Sequence, residues 1–321
     1  MGLRSGIVIP FLFGEASVFA HDSGGVIGVI FNPTARGERA NRFRDHLSEL
    51  GDDVRVLPTR SAGDARTLAA DLTREGFGTL VAAGGDGTVN EVLNGICDVP
   101  EGLARTRLGV IPLGTVNVFA KEMAIPEEFQ GAWRVIREGR DRWIDLPRAE
   151  FTGATGDREL RHFILMAGAG LDSRAIGLVD WGWKRRVGPL AYVWAGIRAM
   201  KPPHPSLEVR IVETTHRVEL AEVGNGRFYG GRFPVFPKAR LDDGVLDVTL
   251  FPRVGLLCAL RVFLRLVTHR LTGSRDAVML QGREITLTSE EPVPLQLDGD
   301  LVGHLPATLT VQPRALRVVA A

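Results

Sequence analysis

Residues 79 to 96 read TLVAAGGDGTVNEVLNGI. Thr79 to Ala83 form an apolar run of the kind that makes a buried strand, and Thr88 to Ile96 have the apolar spacing of a helix. Between them Gly84, Gly85 and Gly87 surround one acid, Asp86. A strand, a glycine turn and a helix start together aim unpaired backbone N–H groups at whatever lies above the turn, which suits an anionic phosphate. The turn lacks the Gly-Lys-Ser/Thr of a Walker loop and the spacing of a Gly-x-Gly-x-x-Gly dinucleotide turn. Alone, it reads equally well as a tight turn in which Asp86 caps the helix.

The same pattern repeats on either side. VIGVIFNP (26–33), DVRVLPT (53–59) and RLGVIPLG (107–114) are further strands, while ANRFRDHLSELG (40–51) and GDARTLAADLTREGF (63–77) are helices. Strands alternating with helices at this spacing predict a doubly wound parallel sheet, an α/β domain that binds ligands at the carboxyl ends of its strands. Those ends carry Asn32, Pro33, Thr59, the glycine turn, Gly114 and Thr115.

Beyond about residue 147 the character changes. RVEL (217–220), GVLDVTLF (244–251), EITLTS (284–289) and VPLQLDGD (293–300) are short alternating segments, which predict an antiparallel, β-rich sandwich. A helical insert, CALRVFLRLVTHRLTG (258–273), interrupts them. We assign residues 25–147 with 304–321 to the α/β domain, 148–303 to the β-rich domain and 1–24 to an extension. The final segment, ATLTVQPRALRVVAA (307–321), fits either domain by periodicity.

Composition narrows the class. The 321 residues are 45% hydrophobic and 24% charged, which is globular, and a net charge of +1 gives no overall field to attract nucleic acid. Cys97 and Cys258 stand far apart in apolar surroundings, so they read as packing residues of a reducing, cytoplasmic compartment. The short apolar run before Ala20 is broken by Pro10 and Glu15, unlike a secretory signal. No stretch has the roughly 18 uninterrupted apolar residues of a spanning helix, so the reading is a soluble or peripheral protein. The histidines, among them His21, His46, His162, His204 and His304, lack metal-ligand spacing.

Gly84-Gly85-Asp86-Gly87-Thr88 with Asn90-Glu91 resembles the glycine motif of the diacylglycerol kinase catalytic-domain family, which includes the YegS-like lipid kinases and sphingosine kinases. Five further segments match in order: Asn32-Pro33, Pro112 to Thr115 with Asn117, Gly168 to Asp172, Leu241 to Gly244, and Asp298-Gly299-Asp300. The resemblance implies transfer of the γ-phosphate of ATP to a lipid hydroxyl, in a cleft between the two domains. It implies nucleotide contacts from Asn32, Pro33, Thr34, Ala35, Arg36, Thr59, Gly84 to Glu91 (Val89 included), Gly114 and Thr115. NAD kinases and phosphofructokinases have similar glycine turns, so an NAD-kinase-like or other small-molecule kinase is the alternative. A nucleotide-binding regulator without turnover is another.

The acids take roles from the same resemblance. An alcohol is a poor nucleophile and needs a base as the phosphoryl group moves. Asp300 stands where the family has a catalytic Glu, one methylene longer, and Asp298 supports it. Without the resemblance the pair reads as an acidic hairpin turn. Asp243, with the carbonyls of Arg240 and Val245, matches a structural Mg²⁺ site. Asp86 and Asp145 match acids in a water-bridged network around a catalytic Mg²⁺. Val116 and Val118 depart from the pattern, and Val118 stands where relatives carry a further acid. The segment 177–200, with Trp181, Trp183, Trp194, Lys184, Arg185 and Arg186, is either an interfacial approach for lipid or an ordinary packed amphipathic helix. A lipid substrate at a membrane surface is the expected partner, and the resemblance makes a homodimer plausible.

Overall fold

The computed structural model describes residues 26–34, 43–171, 173–174, 204–231, 233–268 and 270–321. Ala35, Arg36, Asp172, His21 and the whole 177–200 segment lie outside them.

In the first half, four strands form in the places their apolar runs mark: β1 (Ile27–Phe31), β2 (Val54–Pro58), β3 (Thr79–Gly84) and β4 (Arg107–Pro112). All three pairings among them are parallel, in the order β4-β3-β1-β2. Helices α1 (Asp64–Arg74), α2 (Asp86–Cys97), the single turn α3 (Gly102–Arg105), α4 (Val118–Glu122) and α5 (Phe129–Glu138) connect or flank them. Burial on both faces is why β1 and β3 carry no polar alternation: every residue of each is buried. Of the helix expected over 40–51, the described part ends in a 3₁₀ turn, Leu47–Glu49.

The second half is antiparallel. It contains β5 (Arg140–Thr152), β6 (Arg158–His162), β7 (Met166–Gly170), β8 (Leu207–Ile211), β9 (Thr214–Val218) and β10 (Leu220–Gly224). After β11 (Leu246–Phe251) comes helix α6 (Leu256–Val267), then β12 (Val278–Gly282), β13 (Glu284–Ser289), β14 (Pro294–Leu297) and β15 (Asp300–Ala320). RVEL is not one segment: it spans the end of β9 and the start of β10, with Glu219 at the break.

These fifteen strands join into one sheet around two apolar cores, and Phe228–Tyr229 and Phe233–Pro234 form a separate antiparallel pair. β15, 21 residues long, belongs to both. Leu305, Ala307 and Leu309 pack in the second core, and Leu316, Val318 and Ala320 in the first. Its register against β5 slips between Gln312 and Leu316, and there Val318 comes to pair with Leu108 of β4 in parallel. The slip is pinned from the interior. Asp145, fully buried, accepts hydrogen bonds from Arg314 N at 2.8 Å and Gly244 N at 2.6 Å.

Candidate active site

The glycine turn lies between β3 and α2, and its three glycines answer to different neighbours. A Cβ on Gly84 would lie 2.3 Å from Thr88 Oγ1, and one on Gly114 would lie 2.6 Å from the Cα of Gly85. Gly84 therefore makes room for Thr88, while Gly85 and Gly114 let the loops after β3 and β4 cross. Only at Gly87, exposed in the first turn of α2, would a Cβ meet nothing within 4 Å. The space the sequence suggested for phosphate is therefore concentrated at Gly87, where the first N–H groups of α2 have no intrahelical partner.

Around this turn the strand ends converge. Asn32 N donates to Ala83 O at 3.0 Å, Asn32 Nδ2 reaches Thr88 Oγ1 at 3.3 Å, and Thr34 donates its N–H and hydroxyl to Asn32 Oδ1. Buried Thr59 donates its N–H to Phe31 O, and Thr115 is exposed beside Gly114. Pro33 is half-buried beside Asn32. Asn117, at the N-cap of α4 with φ 53°, donates to Gly114 O, but its buried Oδ1 has no hydrogen-bond partner. That hard oxygen acceptor, at the Gly85–Gly114 crossing, fits a donor brought in by a ligand or by a hydrated cation.

Several expected contacts have other work. Val89 buries its side chain in the first core and spends its N–H on Gly85 O, so it leaves the nucleotide set. Glu91 caps α1, accepting from Gly63 N at 3.0 Å and Ala65 N at 3.1 Å. Asp86 accepts from Val118 N and Phe119 N, both at 3.0 Å, and so caps the short helix α4 across the turn. Asp145 serves the β15 slip, and no hydrogen bond joins it to Asp86. The two acids grouped around one Mg²⁺ thus hold two different backbone junctions. Val118 is buried.

Asp298 and Asp300 also part company. Asp298 (φ 49°) and Gly299 (φ 91°) make the two-residue turn between β14 and β15, the conformation that favours Asp-Gly. The Asp298 carboxylate accepts four hydrogen bonds: from Ile164 N at 2.8 Å, Leu165 N at 2.9 Å, Met166 N at 3.0 Å and Asn90 Nδ2 at 2.7 Å. Burial pushes its pKa up, and these donors oppose the shift. Asp300, one residue past the turn, is exposed. Asp298 is therefore a structural anchor, while the carboxylate of Asp300 beside it is exposed.

Residues that sequence reading passed over complete this anchor. Asn94, one turn beyond Asn90 and equally buried, accepts from His162 N and donates to His162 O, both at 2.9 Å, and Arg161 donates to Asn90 Oδ1. Two asparagines four apart among Val89, Val92, Leu93 and Ile96 were the available signal, since a buried amide needs partners. Burial, with help from Arg148, lowers the His162 pKa to about 4. On the far side, Glu122 takes Arg227 N and Nε, and Asn225 Nδ2 bridges the carbonyls of Asp145 and Ile164.

At the Asp-Asp-Gly turn, Asp243 is exposed, with Oδ1 on Val245 N at 3.3 Å. Burial and the nearby Asp145 charge raise its pKa, while the Val245 N–H and Arg240 oppose the shift. Arg240 pairs with Asp242 at 3.3 Å. An exposed carboxylate at this turn is a hard oxygen donor of the kind that suits Mg²⁺ with its waters. Among the described residues, no three acids, histidines or cysteines cluster as an all-side-chain metal site.

Comparison with known proteins agrees with this architecture. Residues 26–149 match the diacylglycerol kinase catalytic domain, and residues 166–320 match the YegS C-terminal NAD kinase beta sandwich-like domain. A diacylglycerol kinase of Staphylococcus aureus (strain bovine RF122 / ET3-1) is 31% identical over 301 residues, 91% of each chain. One from Staphylococcus carnosus (strain TM300) is 30% identical over 288 residues, 87% of this chain and 90% of that one. The crystal structure of a diacylglycerol kinase from Bacillus anthracis str. Sterne superposes with a TM-score of 0.69 at 20% identity, covering 94% of this chain and 98% of that one. With a glycine turn crossed by a second glycine loop, and an acid turn anchored to its helix, this chain belongs to the diacylglycerol kinase family.

Proposed function

We propose that this protein transfers the γ-phosphate of ATP, with Mg²⁺, to the hydroxyl of a lipid such as diacylglycerol at a membrane surface. The observation that carries this reading is the bond from Asn90 of the phosphate-turn helix to Asp298, next to the exposed Asp300. It ties the anion-binding end of α2 to the turn that presents an exposed carboxylate, so the two halves of a phosphoryl transfer share one rigid frame.

The N-terminal N–H groups of α2 at Gly87 hold phosphate oxygens, and Thr34, Thr115 and the Asn117 amide border the same turn. Asp300 accepts the proton of the acceptor hydroxyl as its oxygen bonds to the γ-phosphorus, and the bond from that phosphorus to the β–γ bridging oxygen breaks to release ADP. Mg²⁺, when bound, offsets charge on the phosphates. Asn117 Oδ1, buried without a hydrogen-bond partner, is an oxygen that fits its hydration shell. Asp243 with the Arg240 and Val245 carbonyls would hold a second, structural Mg²⁺ that stays clear of the reacting phosphate.

The test is incorporation of labelled γ-phosphate into a panel of lipid micelles, NAD and sugars, comparing wild type with Asp300→Asn. Label in a lipid, reduced about 10²-fold or more in the variant, is the expected result. Label in NAD or a sugar instead would move the chain to the small-molecule kinases. ATP binding with no labelled acceptor would make it a regulator.

A further inference from the structure

Helix α6 has its apolar face outward. Leu256, Leu257, Leu260, Phe263, Leu264 and Val267 are each more than half exposed, while Cys258 is its one buried residue. At 100° per residue the six fall in a stripe about 120° wide, and Val262 and Leu266 occupy the inward side. Such a contiguous apolar surface marks an interaction site. Phe233, itself exposed, extends it, with its ring 6.4 Å from that of Phe263.

Charge identifies the occupant. From Pro252 to Arg275 the chain has five arginines (Arg253, Arg261, Arg265, Arg270 and Arg275) and no Asp or Glu. The nearest acids are already engaged: Asp276 pairs with Arg261 at 2.6 Å, and Glu219 accepts from Val254 N. Arg261 is taken up by Asp276, but Arg253 before the helix and Arg270 and Arg275 after it are exposed, where long cationic side chains reach a charged surface while their stems stay on apolar ground. A second copy of this chain packed face to face across a two-fold axis would set these arginines against one another. An anionic bilayer suits both the stripe and its border.

We infer that helix α6 is the surface by which this protein docks on a membrane of anionic lipids, its apolar stripe entering the interface and its arginines meeting the head groups. This deepens the lipid-kinase reading by naming the surface that meets the membrane.

Co-sedimentation of the full chain with phosphatidylglycerol vesicles and with pure phosphatidylcholine vesicles, without nucleotide, tests the assignment. Wild type should bind the phosphatidylglycerol vesicles preferentially, and less so as salt is raised. Leu257→Asp with Phe263→Asp should reduce that binding by about tenfold or more. Arg253→Glu with Arg270→Glu should abolish the preference for anionic lipid while leaving thermal stability unchanged. The inference fails if wild type ignores both vesicles, or if the apolar variant binds as wild type does. It also fails if that variant turns a dimer into a monomer by light scattering with vesicle binding intact, which would give the face to a second copy. Vesicle binding is read without ATP, so its failure is separable from a failure of phosphate transfer, which dispersed acceptor lipid tests.

Discussion

Asn90 Nδ2 donates to Asp298 Oδ2 at 2.7 Å, joining residues 208 positions apart. One partner opens off the phosphate turn and the other precedes the candidate base. The pair fixes the glycine turn's helix against the turn that carries Asp300.

The two neighbouring acids should therefore respond oppositely to truncation. Asp298→Ala strands three backbone N–H groups in the interior and should cost about 3 kcal/mol or more, read by denaturant unfolding. Asp300→Ala, at an exposed position, should stay within about 0.5 kcal/mol of wild type while phosphate transfer falls. Equal losses of stability would dissolve the distinction between anchor and base.

The glycines offer a second contrast. Gly87→Ala meets no atom within 4 Å and sits in a helix, so the melting temperature should hold or rise slightly. The added methyl nevertheless occupies the phosphate approach, and the KM for ATP should rise about tenfold. Gly114→Ala drives a Cβ into the Gly85 backbone and should destabilise by about 1–3 kcal/mol. An unchanged KM in Gly87→Ala would remove the phosphate from that position.

His162 gives a pH dependence. Its pKa drops to about 4 in the folded protein because burial disfavours the imidazolium, so between pH 6.5 and 4 the unfolded chain binds the extra proton. Stability from His162 is thus full above pH 6.5 and is lost as pH falls toward 4. Asp247, raised to about 6 chiefly by burial, acts in the opposite sense, losing stability as pH rises from about 4 to 6. In wild type the two contributions oppose each other. His162→Gln should expose the falling Asp247 contribution, and Asp247→Asn the rising His162 one, in unfolding free energies taken from pH 4 to 7.

Much of the α/β half was legible because a parallel strand buried on both faces must be an apolar run, and its loop must fall at the carboxyl end. Asn32, Thr59, the glycine turn and Gly114 were found that way. The roles of Asp86, Glu91, Asp145 and Asp298 were not, because a carboxylate's partners here are backbone N–H groups supplied by remote segments. Asp298 takes its N–H donors from residues 132 to 134 positions earlier, and nothing in LQLDGD distinguishes an enclosed acid from an exposed one. RVEL misled because its apolar alternation, Val218 then Leu220, runs on through the corner between an exposed strand and a buried one. The two uses of the last segment were open by periodicity, and it is the register slip held by Asp145 that lets one strand serve both cores.

That shared strand has a consequence for how the protein comes into being. A ribosome releases residues 300–320 after every described strand they pair with, and they carry Asp300 at one end and the link to β4 at the other. Neither core can close on the nascent chain, and no candidate base can face the phosphate turn, until this last piece threads between its neighbours. Synthesis order itself keeps the two halves apart until residues 300–320 have been made.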